Sequence, residues 1–335
     1  MVVEAWVNKG SGLNILGRRR ESIVLQEAAL ELVQRLGDRS TEMRIRNNLA
    51  SAVTDDDPLR AIEIYVEGAD LARSVGDRSM YNWLTGTGGA TAIGTGRNWD
   101  GHLAAMREAR DGATLPADRA RLTALIGLIE RQRGERLNEI VADLEAIVGD
   151  SSEDDDKFLL GMTRADVAML TGDPRTANRM AMELVAKSPQ NPEVPAQLAM
   201  QAAVLSKTPG LIRDAALVAA ELRLSGAWTT AQRRAATAML AAVDGRRQDA
   251  IADLREARAI LNALGVDFDD ATYVVLLATL LPDDPEVRAW AEEVRPLLVD
   301  LRAAPWIRFL DDALAQGNAP ATTGAAAEAP IPAEG

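Results

Sequence analysis

The chain has 335 residues, of which 47% are hydrophobic and only 4% aromatic, and it carries a formal charge of −13. A core that must be built mainly from alanine, leucine and valine suits closely packed helices better than sheets, so the composition predicts an all-α fold. The acidic balance argues against general nucleic-acid binding, and the absence of cysteine excludes disulfides and thiolate catalysis.

The composition also limits which metal or cofactor sites we expect and in which cellular compartment we expect the protein. A single histidine cannot form a multi-histidine metal site, and we expect neither a metal nor a cofactor. The sequence has no apolar run of the length that a membrane span needs, and its first residues do not resemble a signal peptide. We therefore predict a cytoplasmic protein with no membrane partner.

Residues 37–79 show most clearly how the chain is organised. They lie between two copies of the sequence Gly-Asp-Arg-Ser, at 37–40 and 76–79. Apolar residues recur at helical spacing on both sides of a turn at Asp57 and Pro58. Asp57 can cap the second helix, and Pro58 fits a first helical turn, where its missing N–H costs nothing. The segment predicts two antiparallel helices joined by a tight turn.

Turn residues recur along the chain at intervals of 35 to 40 residues. They are Gly17, Asp56, Gly96, Gly134, Gly172, Gly210, Gly245 and Asp283. Such a period is typical of a solenoid of stacked helix pairs. We predict eight pairs within residues 1–301, namely 3–37, 38–76, 77–114, 115–150, 151–188, 189–226, 227–265 and 266–301. A capping helix follows at 302–316, and the Ala- and Pro-rich residues 317–335 are predicted to be disordered.

The first unit resembles the tetratricopeptide repeat. Trp6, Gly10, Leu13, Gly17 and Ala29 follow that family's order of large and small positions, whereas later units keep mainly the repeat length. The resemblance implies an α-solenoid of about eight tetratricopeptide-like hairpins wound into a right-handed superhelix. The first helix of each hairpin would then line a concave groove.

A narrower resemblance involves residues 47–50, residues 56–58, the pair Ala61 and Ile62, and the Gly-Asp-Arg segments at 37–39 and 76–78. These segments look like the C-terminal repeat region of large bacterial signalling proteins that join an adenylate/guanylate cyclase domain or an AAA-type ATPase to a tetratricopeptide array. The excess of arginine over lysine and the abundant alanine suggest a high-GC bacterium such as an actinomycete. The resemblance implies a cyclase or ATPase domain, in cis or in trans, as a possible partner.

Candidate binding residues follow from the position of each turn, which places certain side chains of the first helices near the groove. They are Arg46, Trp83, Arg121, Met162, Asp166, Gln197 and Gln232. Arginine and tryptophan are enriched among binding hot spots. The alternative is that these side chains only face solvent or pack between repeats.

Four other motifs favour structural explanations. Residues 86–96 are rich in glycine but lack the lysine of a phosphate loop, so they indicate close helix packing. The acidic residues 151–156 lack the ligand spacing of a calcium loop and suit a solvated turn that caps a helix. His102 has no accompanying nucleophile motif. The basic residues 18–20 suit a solvated turn, with a partner contact as the alternative.

The sequence thus predicts a non-catalytic protein- or peptide-binding scaffold or sensor, regulatory in a cyclase- or ATPase-linked bacterial signalling system. The alternative is the repeat portion of an ATPase-type transcriptional regulator whose DNA-binding domain lies elsewhere. No convergent set of titratable groups indicates an enzyme.

Overall fold

A computed structural model describes residues 2–149, 154–187, 192–222 and 226–317. Within these ranges the chain forms seventeen α-helices and no strand, which confirms the all-α prediction. The helices are α1 (Val2–Ile15), α2 (Arg19–Leu36), α3 (Arg39–Val53), α4 (Pro58–Val75), α5 (Arg78–Thr95), α6 (Trp99–Asp111), α7 (Pro116–Gln132), α8 (Leu137–Val148), α9 (Asp154–Leu170), α10 (Pro174–Lys187), α11 (Glu193–Leu205), α12 (Pro209–Ala220), α13 (Ala227–Val243), α14 (Arg247–Leu264), α15 (Asp267–Leu280), α16 (Pro285–Asp300) and α17 (Ala304–Gly317). Residues 318–335, in the predicted disordered tail, and residues 151–153 of the acidic stretch lie outside the described residues.

The repeated Gly-Asp-Arg-Ser sequence ends one helix and begins the next. Gly37 and Gly76 adopt left-handed backbone conformations, with φ of 72° and 77°, which glycine tolerates without steric cost. The carboxylates of Asp38 and Asp77 then accept hydrogen bonds from backbone N–H groups three residues later. Asp57 caps α4 in the same way, as predicted from its position before Pro58.

Consecutive helices pack against each other along the whole array, as expected for a solenoid. One hydrophobic core runs continuously from Met43 in α3 to Leu314 in α17. Many of its fully buried residues are alanines, which allow neighbouring helices to approach closely. The C-terminal helix α17 packs on α15 and α16.

The array also contacts itself across its interior. The odd-numbered helix α15 packs against α5 and α11, and α17 packs against α7. Phe268, at the start of α15, meets Trp99 edge-on with ring centroids 4.8 Å apart and Trp306 with centroids 6.2 Å apart. These aromatic contacts join the third helix pair to the end of the array. The contacts of α15 with α5 and α11, and of α17 with α7, place these odd-numbered helices on the inner side.

A second closing contact lies at the turn between α3 and α4. The Asp55 carboxylate accepts a hydrogen bond from the backbone N–H of Thr229 at 3.0 Å and is ion-paired with Arg19 at 2.8 Å. Asp56 accepts from the N–H of Ala227, also at 2.8 Å. The free N–H groups at the start of α13 are therefore capped by a turn about 170 positions earlier in the sequence.

The glycine-rich residues 86–96 lie in α5 and at its end, and they permit close packing, as predicted. A Cβ atom placed on Gly94 would lie 2.4 Å from Cζ2 of Trp228, on α13. The Trp228 indole cannot easily move away, since its Nε1–H donates to Asp269 at 2.8 Å. Glycine at position 94 thus lets α5 approach α13.

We expect Gly94→Ala to lower the free energy of unfolding by about 1–3 kcal/mol, because overpacking at Trp228 outweighs the better helix propensity of alanine. Gly12→Ala is the matched control, since Gly12 is also helical and a Cβ there meets nothing within 4 Å. The control should gain up to about 1 kcal/mol. Urea unfolding of both variants tests this, and equal stabilisation by the two would contradict a tight α5–α13 contact.

Candidate binding groove

The seven predicted groove residues fall into three different environments. Arg46, Trp83 and Arg121 lie on α3, α5 and α7 in the N-terminal half of the array. The other four lie on α9, α11 and α13, where the interior is more completely filled. Of the seven residues, Trp83 is the one that is exposed.

Trp83 is the aromatic residue of the predicted set and its most exposed member. It remains 47% exposed, although its Nε1–H donates to Oδ1 of Asn47 at 2.8 Å. The guanidinium of Arg121 lies over the indole, with Cζ 4.2 Å from the ring centroid. A hydrogen bond at the ring edge and a cation–π contact on one face fix the orientation of this indole before any partner binds.

Arg121 is held from a second direction by the backbone. Its Nη2 donates to the carbonyl oxygen of Asn82 at 3.0 Å. Burial lowers the pKa of Arg121 to about 10, against the opposing effect of Asp118. The side chain therefore stays protonated near neutral pH and keeps its cation–π contact with Trp83.

An open groove of about 540 Å³ lies beside Trp83, between α1, α3 and α5. It is lined by Ser11, Arg44, Asn47, Asn48, Asp77, Ser79, Met80 and Trp83. We call this surface the Trp83 groove. Its lining combines one large indole, a flexible methionine, several neutral hydrogen-bonding groups and two charges, a composition typical of sites that bind polypeptide segments.

Polar side chains of two helices are joined across the floor of the Trp83 groove. Asn48 donates to Oγ of Ser11 at 2.9 Å, which connects α3 to α1. Arg44, one turn earlier on α3, is exposed, and within the described residues it forms no ion pair or side-chain hydrogen bond. Its charge acts only at longer range, where it helps to lower the pKa of Asp38.

The sequence prediction found Trp83 but missed the other residues that line the groove. One signal was available, because Asn47 and Asn48 stand together in the middle of a helix, where asparagine is unfavourable. Arg46, which was predicted, turns away from the groove into ion pairs with Glu42 and Glu67. Its side chain is only 13% exposed, so it serves the α3–α4 contact.

Met162 and Asp166 are part of the packing between α7 and α9. Met162 is partly buried against the main core. The carboxylate of Asp166 accepts a hydrogen bond from Nε of Arg131 at 2.8 Å, and both side chains are almost fully buried. Removing one member of such a pair leaves an uncompensated buried charge, so their role is structural.

Gln197 and Gln232 face α15 across a small, enclosed cavity of about 20 Å³. Tyr273 also lines this cavity, which has room for about one water molecule. Both amides lie within hydrogen-bonding reach of Asp269, whose Oδ2 also accepts from Trp228. Gln197 and Gln232 therefore lie beside side chains of α15.

Asp269 is the most strongly perturbed carboxyl group of this interior. Burial raises its pKa to about 6, and the hydrogen bonds from Trp228, Gln197 and Gln232 only partly offset that rise. Desolvation therefore destabilises the ionised form of Asp269 by more than the hydrogen bonds from these three donors stabilise it.

The other sequence motifs have structural partners. Arg18 pairs with Glu21, and Arg19 pairs with Asp55. Burial lowers the pKa of His102, as for a histidine packed in a helix. In the part of the chain that the structure describes, no group of three or more His, Asp or Glu side chains could hold a metal ion.

None of the described helices is both long enough and apolar enough to cross a membrane. No protein-family model matches the chain, and no curated protein matches it. What supports a function is therefore the arrangement of its own residues.

Replacing Asp269 tests the cost of its buried charge. The pKa of Asp269 is higher in the folded chain than in the unfolded chain, so the contribution of this group to stability falls as pH rises from about 4 to about 6. We expect Asp269→Asn to remove this fall and to raise the free energy of unfolding near pH 7.5 by up to about 3 kcal/mol, with little gain near pH 4.

The matched control is Asp267→Asn, two residues earlier on α15. Asp267 is ion-paired with Arg97 and is more exposed, so its replacement should give no gain at either pH. Urea unfolding of the three proteins at both pH values provides the measurement. A pH-independent gain from Asp269→Asn would indicate that packing, and not ionisation, is responsible.

Proposed function

We propose that the chain is a non-catalytic scaffold that binds a protein segment in the Trp83 groove. One observation carries the proposal: a half-exposed indole is held in place by Asn47 and Arg121 beside an open groove of about 540 Å³. Ordering an exposed aromatic side chain on binding costs conformational entropy. The two contacts already order Trp83 in the free protein, so binding a partner costs less entropy. A preorganised tryptophan at the edge of a polar groove suits recognition.

The lining favours an extended peptide that carries an apolar and an acidic side chain. Trp83 and Met80 offer an apolar contact for the first. Arg44 can pair with the acidic side chain of the peptide, since it makes no ion pair among the described residues. The amide and hydroxyl groups of Asn47, Asn48 and Ser79 suit hydrogen bonds to a peptide backbone.

We further propose that this binding is regulatory, in a bacterial system linked to a cyclase or an ATPase. The support is the resemblance of residues 47–50 and 56–58 to the repeat regions of such signalling proteins. Residues 47 and 48 lie in the Trp83 groove itself. Immunoprecipitation from native cells, followed by mass spectrometry of bait and companions, tests this link; a bait without any cyclase or ATPase peptide, in cis or in trans, would contradict it.

A random peptide library selected on the wild-type chain tests binding in the groove. We expect the selected peptides to pair an apolar with an acidic residue and to lose about tenfold or more in affinity for Trp83→Ala and for Arg44→Glu. Fluorescence polarisation gives the affinities, and circular dichroism confirms that the variants fold.

Arg175→Glu is the matched control for the charge reversal. Arg175 is also an exposed helical arginine without an ion pair among the described residues, but it lies on α10, away from the groove. Selected peptides should bind this variant with unchanged affinity. Equal losses from Arg44→Glu and Arg175→Glu would mean that binding reflects overall charge and would overturn the assignment of the groove.

A further inference from the structure

The Asp269 carboxylate lies where α15 meets α5 and α13, and the contact that closes the array covers it. Trp228 of α13 donates its Nε1–H to Oδ2 of Asp269 at 2.8 Å. Gly94 of α5 lies beside the other oxygen, because a Cβ atom placed on it would be only 3.2 Å from Oδ1. The same Cβ would lie 2.4 Å from the Trp228 indole, so α5 covers both the carboxylate and a side chain that binds it.

No cation balances the charge of this carboxylate within the described residues. Its hydrogen-bond donors are neutral, namely Trp228, Gln197 and Gln232. The neighbouring Asp270 is ion-paired with Arg258, and its charge still disfavours a second carboxylate beside it. Because burial penalises a charge without a counter-ion, closing the array favours the protonated form of Asp269 more than water does.

Charged side chains on the surrounding helices have other partners. Arg97, which follows α5, pairs with Asp267, Arg234 of α13 pairs with Asp253 and Glu256, Arg258 of α14 also pairs with Glu293 of α16, and Arg308 of α17 donates to the carbonyl oxygen of Leu170. Arg233, beside Gln232 on α13, forms no ion pair with Asp269 in the ranges that the structure describes.

Two further titratable side chains line the adjoining cavity of about 20 Å³, Glu193 on α11 and Tyr273 on α15. Burial raises the pKa of Tyr273 well above its ordinary value, so its hydroxyl stays neutral near neutral pH. Burial also raises the pKa of Glu193. This group therefore responds to pH in the same direction as Asp269 and needs its own control.

Opening the contact between α5 and α13 changes the environment of Asp269. When Gly94 moves away, water reaches Oδ1 and the pKa of the carboxyl group falls from about 6 toward its ordinary value of 3.8. The open form thus binds the proton less tightly than the closed form. By linkage, the closed form is favoured most below about pH 4, and it loses stability as pH rises through about 6.

We propose that the protonation state of Asp269 controls the closing of α5 on α13 and α15. The array is held closed in mildly acidic solution, and this contact opens more often in neutral solution. Opening gives water and partners access to Trp228 and to the inner sides of α13 and α15. It is a local event, distinct from unfolding of the whole chain, and it does not rest on binding in the Trp83 groove.

Exchange of the Trp228 indole N–H with deuterated water tests the proposal, because this N–H is bonded to Asp269 and covered by α5. The exchange is followed by NMR of the full chain with isotope-labelled tryptophan, and Trp228→Phe identifies the signal. Dividing the rate by that of free N-acetyltryptophanamide at the same pH gives the equilibrium constant for opening. We expect this constant to rise about tenfold from about pH 5 to about pH 7.5.

Substitutions then assign the response to one group. Asp269→Asn should reduce the change to about twofold or less, since an amide does not ionise. Asp267→Asn, the matched control on α15, and Glu193→Gln should each retain most of the change. Gly94→Ala loosens the contact without altering a charge, so it should raise the constant at both pH values. If exchange of the wild-type chain is too slow to follow, the substitutions are compared in the Gly94→Ala background.

Several outcomes would overturn the proposal. A constant that does not change with pH, or that changes equally in Asp269→Asn, would show that this carboxyl group does not govern the contact. Loss of the change in Glu193→Gln alone would assign it to Glu193. Dilute urea separates local opening from global unfolding, because a local opening exposes little surface. Exchange that accelerates with urea as steeply as global unfolding would show that Asp269 affects only overall stability.

Discussion

The packing of α15 against α5 and, through Phe268, against Trp99 at the start of α6 closes the array, and the rest of the structure depends on this contact. Repeat arrays normally bury surface only between neighbouring units, so their ends can open independently. Here Phe268 packs between Trp99 and Trp306, and Asp55 caps the start of α13. These contacts link helices that are far apart in sequence, so we expect the array to unfold more cooperatively than an open solenoid.

The filled interior between α11, α13 and α15 and the open Trp83 groove differ in how much room they offer to a partner. Between α11, α13 and α15 the inner side is occupied by buried groups, with Asp269 among Trp228, Gln197 and Gln232. Such a site offers little room to a partner, and its buried carboxylate reduces stability at neutral pH. The Trp83 groove lies toward the other end of the array, between α1, α3 and α5, and is open.

Arginine has three roles in this acidic chain, and burial and pairing distinguish them. Arg131 is buried in an ion pair with Asp166, so it stabilises the packing of α7 on α9. Arg121 orients Trp83 through a cation–π contact. Arg44 is exposed and has no ion pair among the described residues, and it lines the Trp83 groove proposed for binding.

The sequence by itself determined the helical class, the solenoid of stacked helices and several helix ends, because helix periodicity and capping depend on residues within about four positions of one another. Asp57 before Pro58 is the clearest example. Only the tertiary structure decided that the array closes, so that Gln197 and Gln232 lie beside Asp269 on α15. Curvature accumulates from small rotations at every helix interface, and no local pattern specifies that sum.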